Sequence, residues 1–243
     1  MIKDILRKIV LGKRASSETY INYLRSKGAC IGEGVRIFRP GNTVIDDQNP
    51  HLLKIGNDVQ ITGPVTILTH DYSWSVIKRK YGEILGNQKS VTIGNNVFIG
   101  WGATVLSGTT IGNNVIIGAN SVVSGRIESD SVYAGNPARK IMSLDQFYEK
   151  RKMKQENEAI NYINEYKKTY GKYPEKKDLN EYFFLFSNGN EDMCEKYIKQ
   201  LNCMRNYETS LKYLKNNNPK YESFEQLIEE AKKRNQYETG NKK

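Results

Sequence analysis

The sequence predicts a coil of short parallel strands in the middle of the chain and helices at both ends. Three observations carry this. Aliphatic residues recur at every sixth position through the middle. Sixteen of the 20 glycines lie between Gly28 and Gly135. Eleven of the 16 tyrosines lie after residue 143, where the apolar spacing changes to three and four. Two architectures therefore share 243 residues, a length that suits one or two domains.

The first element is an N-terminal helical cap over residues 1–28. Ile2, Ile5, Leu6, Ile9 and Val10 fall at helical spacing with Lys3, Arg7 and Lys8 between them, which makes an amphipathic basic helix. It has two readings: a lid over the open end of the coil, or a loose hold on an anionic membrane surface. SSETYINYLRS (16–26) predicts a second short helix.

The coil occupies residues 29–142. Ile93, Ile99, Val105, Ile111, Ile117 and Val123 are each six apart, and glycine follows at 94, 100, 112 and 118. Four positions after each aliphatic stands a small or β-branched residue: Val97, Ala103, Thr109, Val115, Ser121 and Ile127. Ile55, Ile61 and Ile67 repeat the pattern, with Val59 and Val65 in the second slot. Ile31 and Ile37 are in phase with them. A period of six is neither helical nor that of a simple hairpin. It fits short strands joined by tight turns, with every sixth side chain pointing at the axis. Glycine after the aliphatic is expected to supply turn freedom.

Three segments add specificity: ILTHDYSW (67–74), IGWGATVLSGTTIGNNVIIGANSVVSG (99–125) and YAGNPARKI (133–141). With the repeat, they make residues 14–142 resemble the hexapeptide-repeat acyltransferases, in the branch acting on sugars and surface polysaccharides. The resemblance implies a single-stranded left-handed parallel β-helix; with the N-terminal helices and the C-terminal all-α helical domain read from spacing, the fold class expected is mainly β. The resemblance also implies a homotrimer with acetyl-coenzyme A bound between adjacent subunits.

The repeat breaks once. Ile67 and Ile93 are 26 residues apart, not a multiple of six. A loop of about 69–91 therefore leaves the coil, and loops extruded from rigid repeats commonly carry function. It begins at His70. Histidine is the favoured general base near neutral pH, and the resemblance makes His70 the catalytic base that takes a proton from a sugar hydroxyl. Asp71 is the adjacent candidate for orienting it, balanced against a turn-forming role. Asp46, Asp47 and Glu33 from a neighbouring coil or subunit are the other candidates. Trp74, four residues after His70, is expected either to contact the acceptor or to pack the loop.

By position, the resemblance gives cofactor contacts to Trp101, whose amide would also face the oxyanion, and to Ala119 and Ser124. Arg139 and Lys140 take the place of phosphate-contacting residues. Where the family often has Thr-Lys, this chain has Ser124-Gly125. Arg126, one position later, is the candidate replacement.

After residue 143 the period is helical. Ser143 with Gln146 forms a capping-box pattern. Ala159, Ile160, Ile163, Tyr166 and Tyr170 make one stripe, and Leu179, Tyr182, Phe183 and Phe186 another. Cys194, Tyr197, Ile198 and Leu201 follow, then Tyr207, Leu211 and Leu214. Ser223 with Gln226 opens a last helix. The expectation is a helical domain over 143–235, its aromatics packed in a core, and a disordered tail at 236–243.

Charge and composition exclude several classes. The net charge of +10 divides as +5 in residues 1–30, +2 in 31–142 and +3 in 143–243. Such a distribution does not suit a nucleic-acid-coating protein. Three cysteines without CxxC spacing argue against a disulfide framework. Two histidines are too few for a three-histidine zinc site, so no metal is expected and the γ-class carbonic anhydrases are excluded. His51 is read as structural or surface. The N-terminus lacks the uninterrupted apolar stretch of a signal peptide, and no run approaches the roughly 18–20 residues of a membrane span. A cytoplasmic protein is expected, at most touching the inner membrane face.

The reading is an acetyl-CoA-dependent O-acetyltransferase acting on a sugar hydroxyl in surface-polysaccharide assembly. Two alternatives stand beside it. One is N-acetylation of an amino sugar or acetylation of a xenobiotic; the other is a non-catalytic scaffold binding polyanions.

Overall fold

The computed structural model describes residues 10–190 and 193–240. The basic amphipathic stretch at 2–9 lies outside the described residues, as do 241–243. Two compact units divide between Tyr148 and Glu149, six residues beyond the expected boundary at 142.

The first unit is a left-handed parallel β-helix. Its strands stack into three parallel sheets, one per side of the coil. Along one side, Cys30–Ile31, Leu53–Ile55, Val91–Ile93, Thr110–Ile111 and Arg126–Ile127 are neighbours. The second side stacks Arg36–Ile37, Gln60–Ile61, Val97–Ile99, Val115–Ile117 and Ser131–Ala134. The third stacks Val44–Ile45, Thr66–Ile67, Thr104–Val105 and Val122–Val123. The six-residue aliphatic series is the axis of this prism: Ile93, Ile99, Val105, Ile111, Ile117 and Val123 are all buried. So are the corner residues Ala103, Thr109 and Ser121.

The glycine after each aliphatic works differently from expectation. Its need is close approach rather than turn freedom. A Cβ on Gly94 would lie 2.6 Å from the Gly112 carbonyl oxygen, and one on Gly100 would lie 2.7 Å from the Ala119 nitrogen. Neither glycine has a positive φ. The left-handed turn positions are shared between Asp58, Asn96, Asn114, Asn120 and Asp130, residue types that tolerate that region, and other glycines such as Gly34, Gly102, Gly108 and Gly125. A side-chain ladder runs along the same corner. The amide oxygen of Asn95 accepts from the Asn57 N–H, that of Asn113 from Asn95, and the Ser129 hydroxyl from Asn113.

Both ends of the coil are closed. Helix α1 (Ser17–Ser26) is capped by the Ser16 hydroxyl, which accepts from the Thr19 N–H at 3.1 Å. It buries Tyr20, Ile21 and Leu24 on the first coil. Its polar groups satisfy the exposed edge: Ser17 accepts from the Ile37 N–H, Tyr20 from the Ile45 N–H, and Arg25 donates to the carbonyls of Ile31 and Gly32. At the other end, Arg139–Ser143 pairs antiparallel with Ser131–Ala134 and covers the last strand.

Helix α3 (Leu144–Tyr170) follows α2 (Trp74–Tyr81), the helix of the extruded loop. The capping box is present at its start: the Ser143 N–H donates to Gln146, and the Gln146 N–H to the Ser143 hydroxyl. The second unit adds α4 (Glu195–Leu201), α5 (Tyr207–Asn216) and α6 (Phe224–Gly240). Its core gathers Ala159, Ile160, Ile163, Leu179, Phe183, Phe186, Tyr197, Leu214, Leu227 and Ala231.

Three expectations change here. The stripe Leu179–Phe186 is no α-helix; it follows one 3-10 turn, Lys176–Asp178, and contains another, Phe183–Leu185. The segment is short and rich in weak helix formers, so burial of Leu179, Phe183 and Phe186 sets its shape. Tyr170 does not join the core, being 64% exposed. Helix α6 continues to Gly240, where a disordered tail was expected from 236.

Candidate functional site

The site begins with a stacking register. Ile67 lies beside Ile45, so the chain leaves the same corner at Leu68 and at Asp46, one coil apart. The Asp46 carboxylate is thereby placed under Thr69 and His70. It accepts from the Thr69 N–H at 3.0 Å and from the Thr69 hydroxyl at 2.5 Å. Its other oxygen takes the Gln48 N–H at 3.0 Å. Nδ1 of His70 stands 2.5 Å from Asp46 Oδ2.

Burial by itself would push the Asp46 carboxyl up. The Thr69 hydroxyl, the Gln48 and Thr69 amides and His70 together outweigh it and hold the group below the usual carboxylate range. An ionised carboxylate only accepts hydrogen bonds. Its partner nitrogen must then carry the proton, so Nδ1–H points at Asp46 and, in the neutral ring, the lone pair is on Nε2. Both side chains are largely enclosed, 4% exposed for Asp46 and 12% for His70. Of the orienting candidates, the structure brings Asp46 to the ring.

Asp71 faces elsewhere. One carboxylate oxygen accepts the Ser73 N–H at 2.9 Å and the other the Asn87 amide at 2.5 Å. These bonds, the Ser73 contacts foremost, hold its carboxyl below the ordinary range. His70–Asp71 pairs antiparallel with Asn87–Gln88, so Asp71 latches the neck of the extruded loop. Of the other two candidates, Glu33 pairs with Arg25, and Asp47 is bound by Lys13 and Tyr23.

Above the neck, Tyr72 sets its ring edge on His70 at 5.5 Å, and Trp74 lies 5.9 Å beyond Tyr72. Trp74 is half-buried at the first position of α2. Gly82, at φ +83°, ends this helix with its N–H on the Lys78 carbonyl. The positive φ is what glycine supplies there.

Trp101 sits at the corner between Val97–Ile99 and Thr104–Val105. Its carbonyl accepts from Asn120, and the next amide, Gly102, donates to Pro64. The Trp101 N–H has no hydrogen-bond partner among the described residues. The indole is 46% exposed, with the Arg39 guanidinium 4.8 Å from its centroid. Ala119 stacks under this corner, exposed.

Ser124 and Arg126 are exposed at a different corner. Lys140 donates to Glu128 at 2.7 Å, which raises the Lys140 pKa and, with Arg126 nearby, lowers that of Glu128. Arg139 reaches only the Ala138 carbonyl. The structure thus groups Trp101 with Ala119, and Arg126 with Lys140 around Glu128. No hydrogen bond joins the two groups among the described residues. His51 is exposed on the 3-10 turn Pro50–Leu52.

Two neighbours of the site were not singled out from sequence. Tyr72 carried a faint signal, lying two residues from His70 in a loop of aromatics. Arg39 carried none, since its ring partner is 62 positions away in the chain.

Residues 90–125 match the family model described as bacterial transferase hexapeptide (six repeats). Protein CapG of Staphylococcus aureus is 37% identical over 146 residues, which is 60% of this chain and 81% of that protein. Among solved structures, a hexapeptide-repeat-containing acetyltransferase of Vibrio cholerae has a TM-score of 0.44 at 23% identity, covering 58% of this chain and 89% of its own. A maltose O-acetyltransferase from Clostridium difficile 630 has a TM-score of 0.40 at 28% identity, covering 58% and 81%.

Proposed function

This chain belongs to the bacterial hexapeptide-repeat transferases, and on that premise we propose that it is an O-acetyltransferase. It moves an acetyl group from acetyl-CoA to a sugar hydroxyl, in surface-polysaccharide assembly. The observation that carries this is the Asp46–His70 pair at the neck of the loop extruded between Ile67 and Val91.

The acceptor hydroxyl gives its proton to Nε2 of His70 as its oxygen attacks the thioester carbonyl carbon. Asp46 stabilises the imidazolium so formed and keeps the ring in the tautomer the step needs. The carbonyl oxygen becomes an oxyanion and accepts from the unpaired Trp101 N–H. Collapse breaks the carbon–sulfur bond, and His70 returns the proton to the departing thiolate. Acetyl ester and free thiol leave, and His70 is neutral again.

In one copy, the corners bearing His70 and Trp101 bracket the third side of the coil. From Ala103 to Leu106 is three residue steps, about 10 Å of extended chain. The acceptor hydroxyl stands between His70 and the thioester carbonyl, and the resemblance to the hexapeptide-repeat acyltransferases supports a homotrimer with the site between subunits. Arg126, Arg139 and Lys140 supply the cations for coenzyme phosphates. The location proposed is cytoplasmic, at the inner membrane face where lipid-linked sugars stand.

Thioester consumption measured with a panel of sugar acceptors tests this. Wild type should release free thiol only with acceptor, and His70→Ala should lose about 10²–10⁴ of the rate. A His70→Ala enzyme near wild-type turnover sinks the mechanism. Loss of the product under mild base identifies an ester rather than an amide.

A further inference from the structure

The second unit carries a feature that its core does not use. Tyr162, Tyr166 and Tyr170 repeat every four residues along α3, each about 6 Å further along the axis. Their ring centroids are 6.1 and 4.6 Å apart, and Tyr182 approaches Tyr162 at 6.3 Å. These rings line an open groove of about 520 Å³. Tyr162 is 39% and Tyr170 64% exposed, although buried leucine, isoleucine and phenylalanine were available to the same unit for packing.

The rest of the lining defines what fits. Asn161 and Thr169 stand exposed along the row, and no hydrogen bond engages their side chains among the described residues. The two carboxylates of the groove are already neutralised. Glu158 takes both guanidinium nitrogens of Arg151 at 2.8 and 2.6 Å, and Glu165 faces Lys168. No lysine or arginine lines the groove. An anionic ligand finds no uncommitted cation among the described residues of the groove, Arg151 and Lys168 being held by Glu158 and Glu165, and a cationic one finds no uncommitted carboxylate. Flat rings with spare hydroxyl and amide groups suit a ligand with apolar C–H faces and many hydroxyls.

We propose that this groove binds a neutral glycan chain, one sugar ring against each successive tyrosine, and so retains a polymeric acceptor on the enzyme. The inference rests on the reading above that the acceptor is a saccharide. Tyrosine offers rigid contact area with little side-chain entropy to lose, so a row of them gains affinity with chain length.

The intact protein is screened on an array of neutral glycans, and the strongest hit is titrated by calorimetry. Tyr162→Ala and Tyr170→Ala, both surface changes to a better helix former, should each weaken binding about three- to tenfold. Their melting temperatures and their kcat on a monosaccharide acceptor should stay at wild-type values. Failure to bind any neutral glycan, or equal binding by wild type and variants, overturns the proposal. Tyrosine-dependent binding of tetramethylammonium in place of glycans overturns it too, by identifying a cation cage. Glycan binding without acetyl transfer to any sugar would refute the transferase reading and leave this one standing. Sugar acetylation without tyrosine-dependent binding would do the reverse.

Discussion

The Asp46 carboxylate stands 2.5 Å from Nδ1 of His70, across one coil of the helix and 24 residues of chain. It accepts the hydrogen bond from Nδ1–H that fixes the ring's tautomer. Asparagine at position 46 removes the charge that stabilises the imidazolium and sets its NH2 against either the Thr69 or the Gln48 N–H, which disturbs the hold on the ring. Asp46→Asn is therefore expected to lower kcat about 10²–10⁴-fold with little change in KM for the thioester. Steady-state kinetics check this, and a near wild-type kcat would remove Asp46 from the mechanism.

The same carboxylate makes stability depend on pH. Its folded pKa lies below the unfolded value of 3.8, so its stabilising contribution is present above that value and lost as pH falls through the folded pKa. The stability gap between wild type and Asp46→Asn should shrink as pH falls below about 4. Urea unfolding at a series of pH values measures it; a gap that widens in acid contradicts the assignment.

Asp71 latches the loop neck through Ser73 and Asn87 rather than orienting the base. Asp71→Ala should speed amide exchange over residues 72–86. Its kcat should fall much less than in Asp46→Asn, by less than about tenfold. Equal losses in the two variants would return Asp71 to the proton-transfer step.

Gly94 has the Gly112 carbonyl oxygen where a Cβ would stand, at 2.6 Å. Gly94→Ala should cost about 1–3 kcal/mol, as overpacking does. Gly86→Ala is the control: nothing lies within 4 Å of its Cβ position and its φ is not positive. Thermal unfolding should separate the two, and equal melting temperatures would disprove the close-approach account.

Glu156 ties the second unit together, accepting from Lys220, Tyr221 and Arg234 at 2.5, 2.5 and 2.9 Å. Burial acts to raise its pKa, but these partners outweigh it and lower the group overall. Glu156→Ala leaves the buried Tyr221 hydroxyl without its acceptor and takes one of three acceptors from Arg234, at a cost of about 1–3 kcal/mol. Denaturant unfolding reads the change; a shift under a few tenths would mean the network is surface decoration.

Periodicity by itself determined the coil. A six-residue aliphatic series places every marked side chain on one axis, and only a stacked coil buries such a series. The break between Ile67 and Ile93 likewise located the loop and made His70 its first residue of interest. The caps at Ser143 and Ser223 were legible because capping is local chemistry, needing only residues three apart. Other facts depended on stacking. Thr66–Ile67 lies beside Val44–Ile45 through a separation of 22, because extra residues and a 3-10 turn intervene. A separation of 22 is not a multiple of six, so the repeat does not set which coil residue stacks beside Ile67, and only the folded register brings Asp46 to His70. The glycines show the same limit. Sequence marks the position but not whether φ or a neighbouring coil demands it, since the neighbour arrives from about 18 residues away. In the helical unit, spacing alone cannot tell a tyrosine facing a core from one facing a groove. Tertiary packing decided that Ala159 and Ile163 turn inward while Tyr162 and Tyr170, one face over, stay open to a ligand.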